Sequence, residues 1–141
     1  MKSAINKEIV RRYQKAWEQA DLTTLAELLS EDFVNHSPPL PPTRVEMLDF
    51  AAEHRRQFTT GTYTIHAMAT EGEQVFVFGH YHGVHDGEPF DAIPASGAEV
   101  DFDYFTLLRL ADGKIVERWG AADDVLGMLV PLGFTLSPPG E

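Results

Sequence analysis

Two adjacent carboxylates, Asp123 and Asp124, close an alternating stretch that starts at the turn signal Asp112-Gly113. In a β-strand alternate residues face opposite sides of the sheet. Ile115, Glu117, Trp119, Ala121 and Asp123 therefore share one face, and Val116, Arg118, Gly120, Ala122 and Asp124 share the other. Asp123 would lie beside Trp119 on one wall. A carboxylate desolvated by an aromatic surface is pushed up from a pKa of about 3.9 towards the range useful for proton transfer. That makes Asp123 a candidate general base. Asp124 is its competitor, the alternative role for either being to cap the short apolar helix expected over Val125, Leu126, Met128 and Leu129.

Tyr13 and Trp17 stand one helical turn apart and read as pocket wall, with the phenol able to donate to a substrate oxygen. If Asp112-Gly113 is a two-residue hairpin loop, Ala111 pairs with Lys114, Tyr104 lies opposite Ala121, and Thr106 lies opposite Trp119. Phe102, Tyr104, Thr106 and Leu108 then share the pocket face with Trp119 and Asp123. Tyr104 reads first as a core aromatic and second as a substrate-binding phenol. His80, His82 and His85 fall within six residues and invite a metal reading. No further ligand motif accompanies them, so no metal is expected, and His80 or His82 is assigned to the pocket or a subunit surface.

The elements that must position these groups follow from periodicity. Residues 4–20 form an amphipathic helix with Ile5, Ile9, Tyr13, Ala16, Trp17 and Ala20 on one stripe. Asp21 caps a second helix carrying Leu22, Leu25, Leu28 and Leu29. Residues 31–37 connect to a proline-rich loop at 37–42, which looks mobile, as does the tail from Thr135. Thr43 and Glu46 form a capping box for a third helix, with Met47, Phe50, Ala51, His54 and Phe58 on its stripe. The period then changes to two. Strands are expected over 63–70, 74–84 (buried on both faces for part of its length), 99–110 and 114–123. Three helices followed by a meander of long strands predict an α+β fold, a curved antiparallel sheet with helices on its concave side.

With 141 residues and no linker, the chain reads as one domain over 1–141. A formal net charge of −11 without a basic cluster argues against nucleic acid and anionic lipid. No apolar run suits a membrane span, and the opening Met-Lys-Ser-Ala carries no signal-peptide pattern. Lacking cysteine, the chain has neither disulfides nor thiolate chemistry, and a cytoplasmic address is the expectation.

The closing stretch, Asp112-Gly113-Lys114-Ile115 with Glu117, Trp119, Asp123 and Leu126-Gly127, resembles the last strand of the SnoaL-like polyketide cyclases of the NTF2-like superfamily. Further matches are Tyr13 and Trp17, the run from Asp21 to Leu28, and Asp32-Phe33-Val34-Asn35-His36-Ser37-Pro38. Gly83-Val84-His85-Asp86-Gly87 and Ala92-Ile93-Pro94-Ala95-Ser96-Gly97 extend the resemblance, with one extra residue between them. The family sets its Leu-Gly pair two residues after the acid, and by that count Asp124 fits.

The resemblance implies an NTF2-like cone, three N-terminal helices and a curved sheet enclosing a pocket. It implies a lyase or isomerase that needs no cofactor and closes a ring by intramolecular aldol condensation on an apolar, polyketide-like carbonyl substrate. Asp123 and His36 would be catalytic. Tyr13, Trp17, His82, Tyr104 and Trp119 would bind substrate. His36 read by itself is equally a loop histidine bonded to local backbone. The superfamily also holds non-catalytic ligand binders and limonene-type epoxide hydrolases. The latter need an Asp-Arg-Asp set, and His80 and His82 stand where its Arg-Asp pair would be sought. An uncovered apolar sheet face predicts a homodimer packed sheet to sheet.

Overall fold

The computed structural model describes residues 2–122 and 125–140. Helix α1 (Lys2–Gln19) buries Asn6, Ile9, Val10, Tyr13, Ala16 and Trp17. Its inward stripe thus runs through Asn6, while Ile5 stays exposed. The Asp21 side chain accepts a hydrogen bond from the Thr24 amide at 3.1 Å and starts α2 (Leu22–Leu28). Thr43 does the same for α3 (Arg44–Gln57), accepting from the Glu46 amide at 3.3 Å. Both caps satisfy N-terminal amides that have no helical partner.

Between α2 and α3 the chain forms a strand that periodicity does not announce, β1 (Leu29–Asn35). Leu29, Phe33 and Asn35 are buried, whereas Val34 points outward. The next strands are β2 (Thr62–Glu71), β3 (Gln74–Val84), β4 (Glu99–Ala111) and β5 (Lys114–Ala122), and the short α4 (Val125–Leu129) ends the fold. The sheet order is β1-β5-β4-β3-β2. Strand β1 runs parallel to β5, and the remaining neighbours are antiparallel. The expected four-stranded meander is therefore a five-stranded α+β sheet. No helix among the described residues is long and apolar enough to cross a membrane.

One sheet face packs on the helices. Val75, Val77, Tyr81, Val100, Tyr104, Leu108 and Leu110 join Val10, Tyr13, Trp17, Leu25, Met47 and Phe58 in a single core. The opposite, outer face carries Phe76, Phe78, Phe105, Leu107 and Trp119. Phe76 is 43% exposed and Phe105 46%, so β3 is buried on one face rather than two.

The hairpin from β4 to β5 has the expected two-residue loop, with Ala111 opposite Lys114. A register shift follows at once: Leu110 pairs with Ile115, but Arg109 pairs with Glu117, leaving Val116 as an extra residue. From there Leu108 faces Arg118, Thr106 faces Gly120, and Tyr104 faces Ala122. The expected pairings of Tyr104 with Ala121 and Thr106 with Trp119 are therefore wrong by one. The bulge has a physical reason. Ile115 is completely buried and Arg118 also faces inward, and residues three apart reach the same face only if one extra residue intervenes.

Candidate active site

The shifted register decides which side chains meet. Tyr104, Thr106, Leu108, Arg118 and Gly120 line the inner face, while Trp119 turns to the outer face with Phe105 and Leu107. Trp119 therefore does not share a wall with Tyr104. Asp123, whose expected inward position rested on the parity of Trp119, lies outside the described residues, as does Asp124.

Arg118 is held by the end of β1. Parallel pairing sets Asn35 beside it, and Arg118 Nη1 donates to Asn35 Oδ1 at 2.9 Å. Asn35 Nδ2 in turn donates to the carbonyls of Ser37 at 3.0 Å and Leu40 at 2.9 Å. One amide thus anchors both the guanidinium and the proline-rich loop, which is tied down rather than loose. Gly120 makes room: a Cβ there would lie 2.5 Å from Arg118 Nη2 and 2.9 Å from Cζ. Only a residue without a side chain lets the guanidinium fold over the strand.

Arg118 acts on Tyr13 from α1, Tyr63 from β2 and Tyr104 from β4, and the aromatic layer continues through Trp17 beside Tyr13 and Tyr81 beside Tyr63. The rings of Tyr63 and Tyr81 are 4.7 Å apart, those of Tyr63 and Tyr104 6.0 Å, and those of Tyr13 and Trp17 6.5 Å. Gln14 donates to the Tyr104 hydroxyl. Burial raises the pKa of all four phenols, and it pushes Tyr104 up to about 12. The Arg118 charge partly opposes this at Tyr13, Tyr63 and Tyr104. The phenols consequently stay protonated and serve as hydrogen-bond donors. The hydroxyl of Tyr81 is buried without a hydrogen-bond partner among the described residues, and the indole of Trp17 lies against the Tyr13 hydroxyl. His54 Nε2 lies 3.3 Å from the Tyr63 hydroxyl, and burial together with Arg55 lowers its pKa to about 4.

The predicted site residues are thus divided between the two faces. Tyr13, Trp17 and Tyr104 meet on the inner side. His36 is exposed, follows the outward parity of Val34, and stacks on Trp119 with ring centroids 4.6 Å apart. Its Nε2 is 2.8 Å from Glu117 Oε2, and Glu117 Oε1 accepts from Arg109 Nε at 2.5 Å. Those bonds from Arg109 and His36 hold the Glu117 carboxyl below its ordinary pKa. His82 also points outward, 3.6 Å from Glu99. Residue patterning missed Arg118, Asn35, Tyr63 and Tyr81. Asn35 stood within the Asp32–Pro38 motif, and Arg118 was assigned to the wrong face.

A hollow of about 440 Å³ lies on the outer face, floored by Ala67, Phe76, Phe78, Phe105, Leu107 and Trp119. It is apolar and open, and no acid, base or cation among the described residues lines it. A cation and buried phenols converge instead on the inner side.

A family model described as SnoaL-like polyketide cyclase matches residues 7–129. The chain belongs to that family, and its α+β sheet with leading helices is the NTF2-like cone. Among solved structures it is similar to AclR of Streptomyces galilaeus, a candidate hydroxylase, at 23% identity and a TM-score of 0.83, over 97% of this chain and 86% of that one. IdmH of Streptomyces antibioticus, a candidate polyketide cyclase, is 27% identical with a TM-score of 0.78, over 92% of this chain and 99% of IdmH. A SnoaL-like candidate cyclase from Jannaschia sp. CCS1 is 23% identical with a TM-score of 0.80, over 94% of each chain. No curated protein matches.

Proposed function

We propose that this chain is a cofactor-free cyclase that removes a proton α to a carbonyl of a mostly apolar, polyketide-like molecule and closes a ring by intramolecular aldol addition. The observation that carries this reading is Arg118 set among buried, protonated phenols on the inner face. An enolate spreads negative charge onto oxygen, and fixed donors plus a half-buried cation stabilise that charge more than the neutral ketone. The Tyr13, Tyr63 and Tyr104 hydroxyls supply the donors for substrate oxygens.

None of these groups is a useful base. The phenols are held neutral, and His54 is too weakly basic. The proton acceptor is therefore sought in the acidic doublet. Asp123 is the residue that sequence parity selects with Trp119. Asp124 has the sequence parity of Arg118, Gly120 and Ala122, which supports it as the candidate. The carboxylate would take the α-proton, the enolate carbon would attack a second carbonyl of the same molecule, and the new alkoxide would recover the proton from the carboxylic acid. His36 and Trp119, on the outer face, take no part in this step. The reading includes a cytoplasmic address and a homodimer formed through the outer face.

The test is turnover of β-dicarbonyl esters by the purified protein and its variants. Asp124→Asn is expected to lower kcat by roughly 10²–10⁴-fold, the usual range for general acid–base groups, with Asp123→Asn close to wild type. The reverse outcome would show that Asp123 is the base. If neither matters on a confirmed substrate, the acid–base mechanism fails. Substrate bound tightly but recovered unchanged would make the chain a ligand carrier.

A further inference from the structure

On the outer face, where β2, β3 and β4 run side by side, His66, His80 and Asp103 each bring one ligand atom to within 4.8 Å of the others. Each comes from a different strand. His80 and Asp103 are direct cross-strand partners, and His80 Nδ1 is 2.6 Å from Asp103 Oδ1. His66 enters through an irregularity. Ile65 pairs with Gly79 and Ala67 with Phe78, so His66 is the extra residue of a bulge in β2. Bulges re-aim side chains, and this one turns His66 and Ala67 outward together. The His66 ring stands 6.1 Å from that of His80 and 5.3 Å from Phe78.

Asp101 completes the arrangement from the other side of the ring, its carboxylate meeting His80 Nε2. A carboxylate on one ring nitrogen fixes the proton there and leaves the other nitrogen as a lone-pair donor, the usual orientation of a metal-bound histidine. The other nitrogen, Nδ1, is hydrogen-bonded to Asp103 Oδ1 at 2.6 Å, and an ion seated between them would take the place of that proton.

We propose that His66, His80 and Asp103 form a binding site for a divalent first-row transition ion such as zinc, with Asp101 orienting His80. Two imidazoles and one carboxylate suit zinc, cobalt and nickel, whereas magnesium and calcium take all-oxygen sets. Donors about 2.0–2.2 Å from a tetrahedral zinc lie roughly 3.3 Å apart. The His80–Asp103 pair, 2.6 Å apart, would open by about 0.7 Å, which side chains at the surface can do. Three protein donors leave a position for water. The formal charge of −11 favours cation uptake. The site lies across the sheet from Arg118 and is independent of the proposed ring closure.

This set differs from the histidine triple that the sequence brings to mind. His85 is completely buried, with Nε2 2.9 Å from the Glu88 carbonyl, and His82 leans towards Glu99. Of the three, only His80 belongs to the cluster.

Untagged protein, stripped with chelator and dialysed, is titrated with Zn²⁺ by calorimetry, and Co²⁺ loading is followed by visible absorption. One ion per chain in the micromolar range is expected. His66→Ala and Asp103→Asn should each weaken binding by more than tenfold. Asp101→Asn should weaken it by about tenfold, the lower end of the effect of groups that orient ligands. His82→Ala, the control, should leave affinity unchanged. Zinc binding weaker than about 1 mM overturns the proposal. So does an equal loss in His82→Ala, which would assign the ion to other donors, or displacement of zinc by equimolar Mg²⁺, which would mark a hard oxygen site.

Discussion

Arg118 and His54 show how burial sets the chemistry available to single residues. Arg118 brings a permanent charge among phenols that burial keeps protonated. Arg118→Met keeps the length of the side chain and removes the charge. It should lower kcat by roughly 10²–10³-fold, the cost of losing one oxyanion donor, while far-ultraviolet circular dichroism stays unchanged. Wild-type turnover in this variant would remove Arg118 from the mechanism. His54 makes a prediction about pH. Phe50, Phe58, Tyr63 and Tyr81 surround its ring, and together with Arg55 burial holds its pKa near 4, against about 6.5 in an unfolded chain. Between those values the unfolded chain binds a proton that the native state refuses. Stability is therefore complete above about pH 6.5 and declines as pH falls towards 4. Urea midpoints between these limits should fall less in His54→Gln than in wild type. Parallel curves would assign the acid sensitivity to other groups.

At the scale of the strand, glycine and the bulge place the site. Gly120→Ala puts a methyl against the movable end of Arg118, 2.5 Å from Nη2, so the fold should survive while the guanidinium shifts. A displacement of that order costs roughly 10²-fold in turnover, with little change in melting temperature. Gly79→Ala meets the rigid Tyr104 ring, 2.5 Å from Cζ, and should instead lose about 1–3 kcal/mol of stability. If both variants behave alike, the distinction between a flexible and a rigid neighbour is wrong. The elements themselves were largely legible. Three helices, two of them with their caps, and four strands follow from local periodicity and from Asp21, Thr43, Asp112 and Gly113. Strand β1 was not, because Glu31 and Asp32 interrupt its apolar pattern and its partner, β5, is more than 80 residues away. The Val116 bulge was not legible either. It answers to two distant demands, the core's on Ile115 and the cone's on Arg118. One unseen residue reversed every side chain beyond it, which is why Trp119 was expected inside and Arg118 outside.

At the scale of the molecule, the helices occupy one sheet face and leave the other with an apolar centre. Phe78 stacks on Phe105 at 4.9 Å, and Phe76, Leu107 and Trp119 continue the patch. Polar groups rim it at both ends: Arg109, Glu117 and His36 on one side, and His80, Asp101 and Asp103 on the other. An apolar centre within a polar rim is the anatomy of a protein interface. We propose a second copy as the partner, because a two-fold axis through the patch would set the same apolar surface against itself. Wild-type protein should scatter light as two chains of 15.7 kDa at micromolar concentration. Phe105 is 46% exposed in the single chain, so Phe105→Asp should not disturb the core. In a dimer it would bury two carboxylates near the axis, and it should give a folded monomer. Arg118 and the tyrosines face the other way, so ligand affinity at the inner site should be the same in that monomer. A wild-type monomer would end the dimer proposal. A dimer that survives Phe105→Asp would move the interface to another surface.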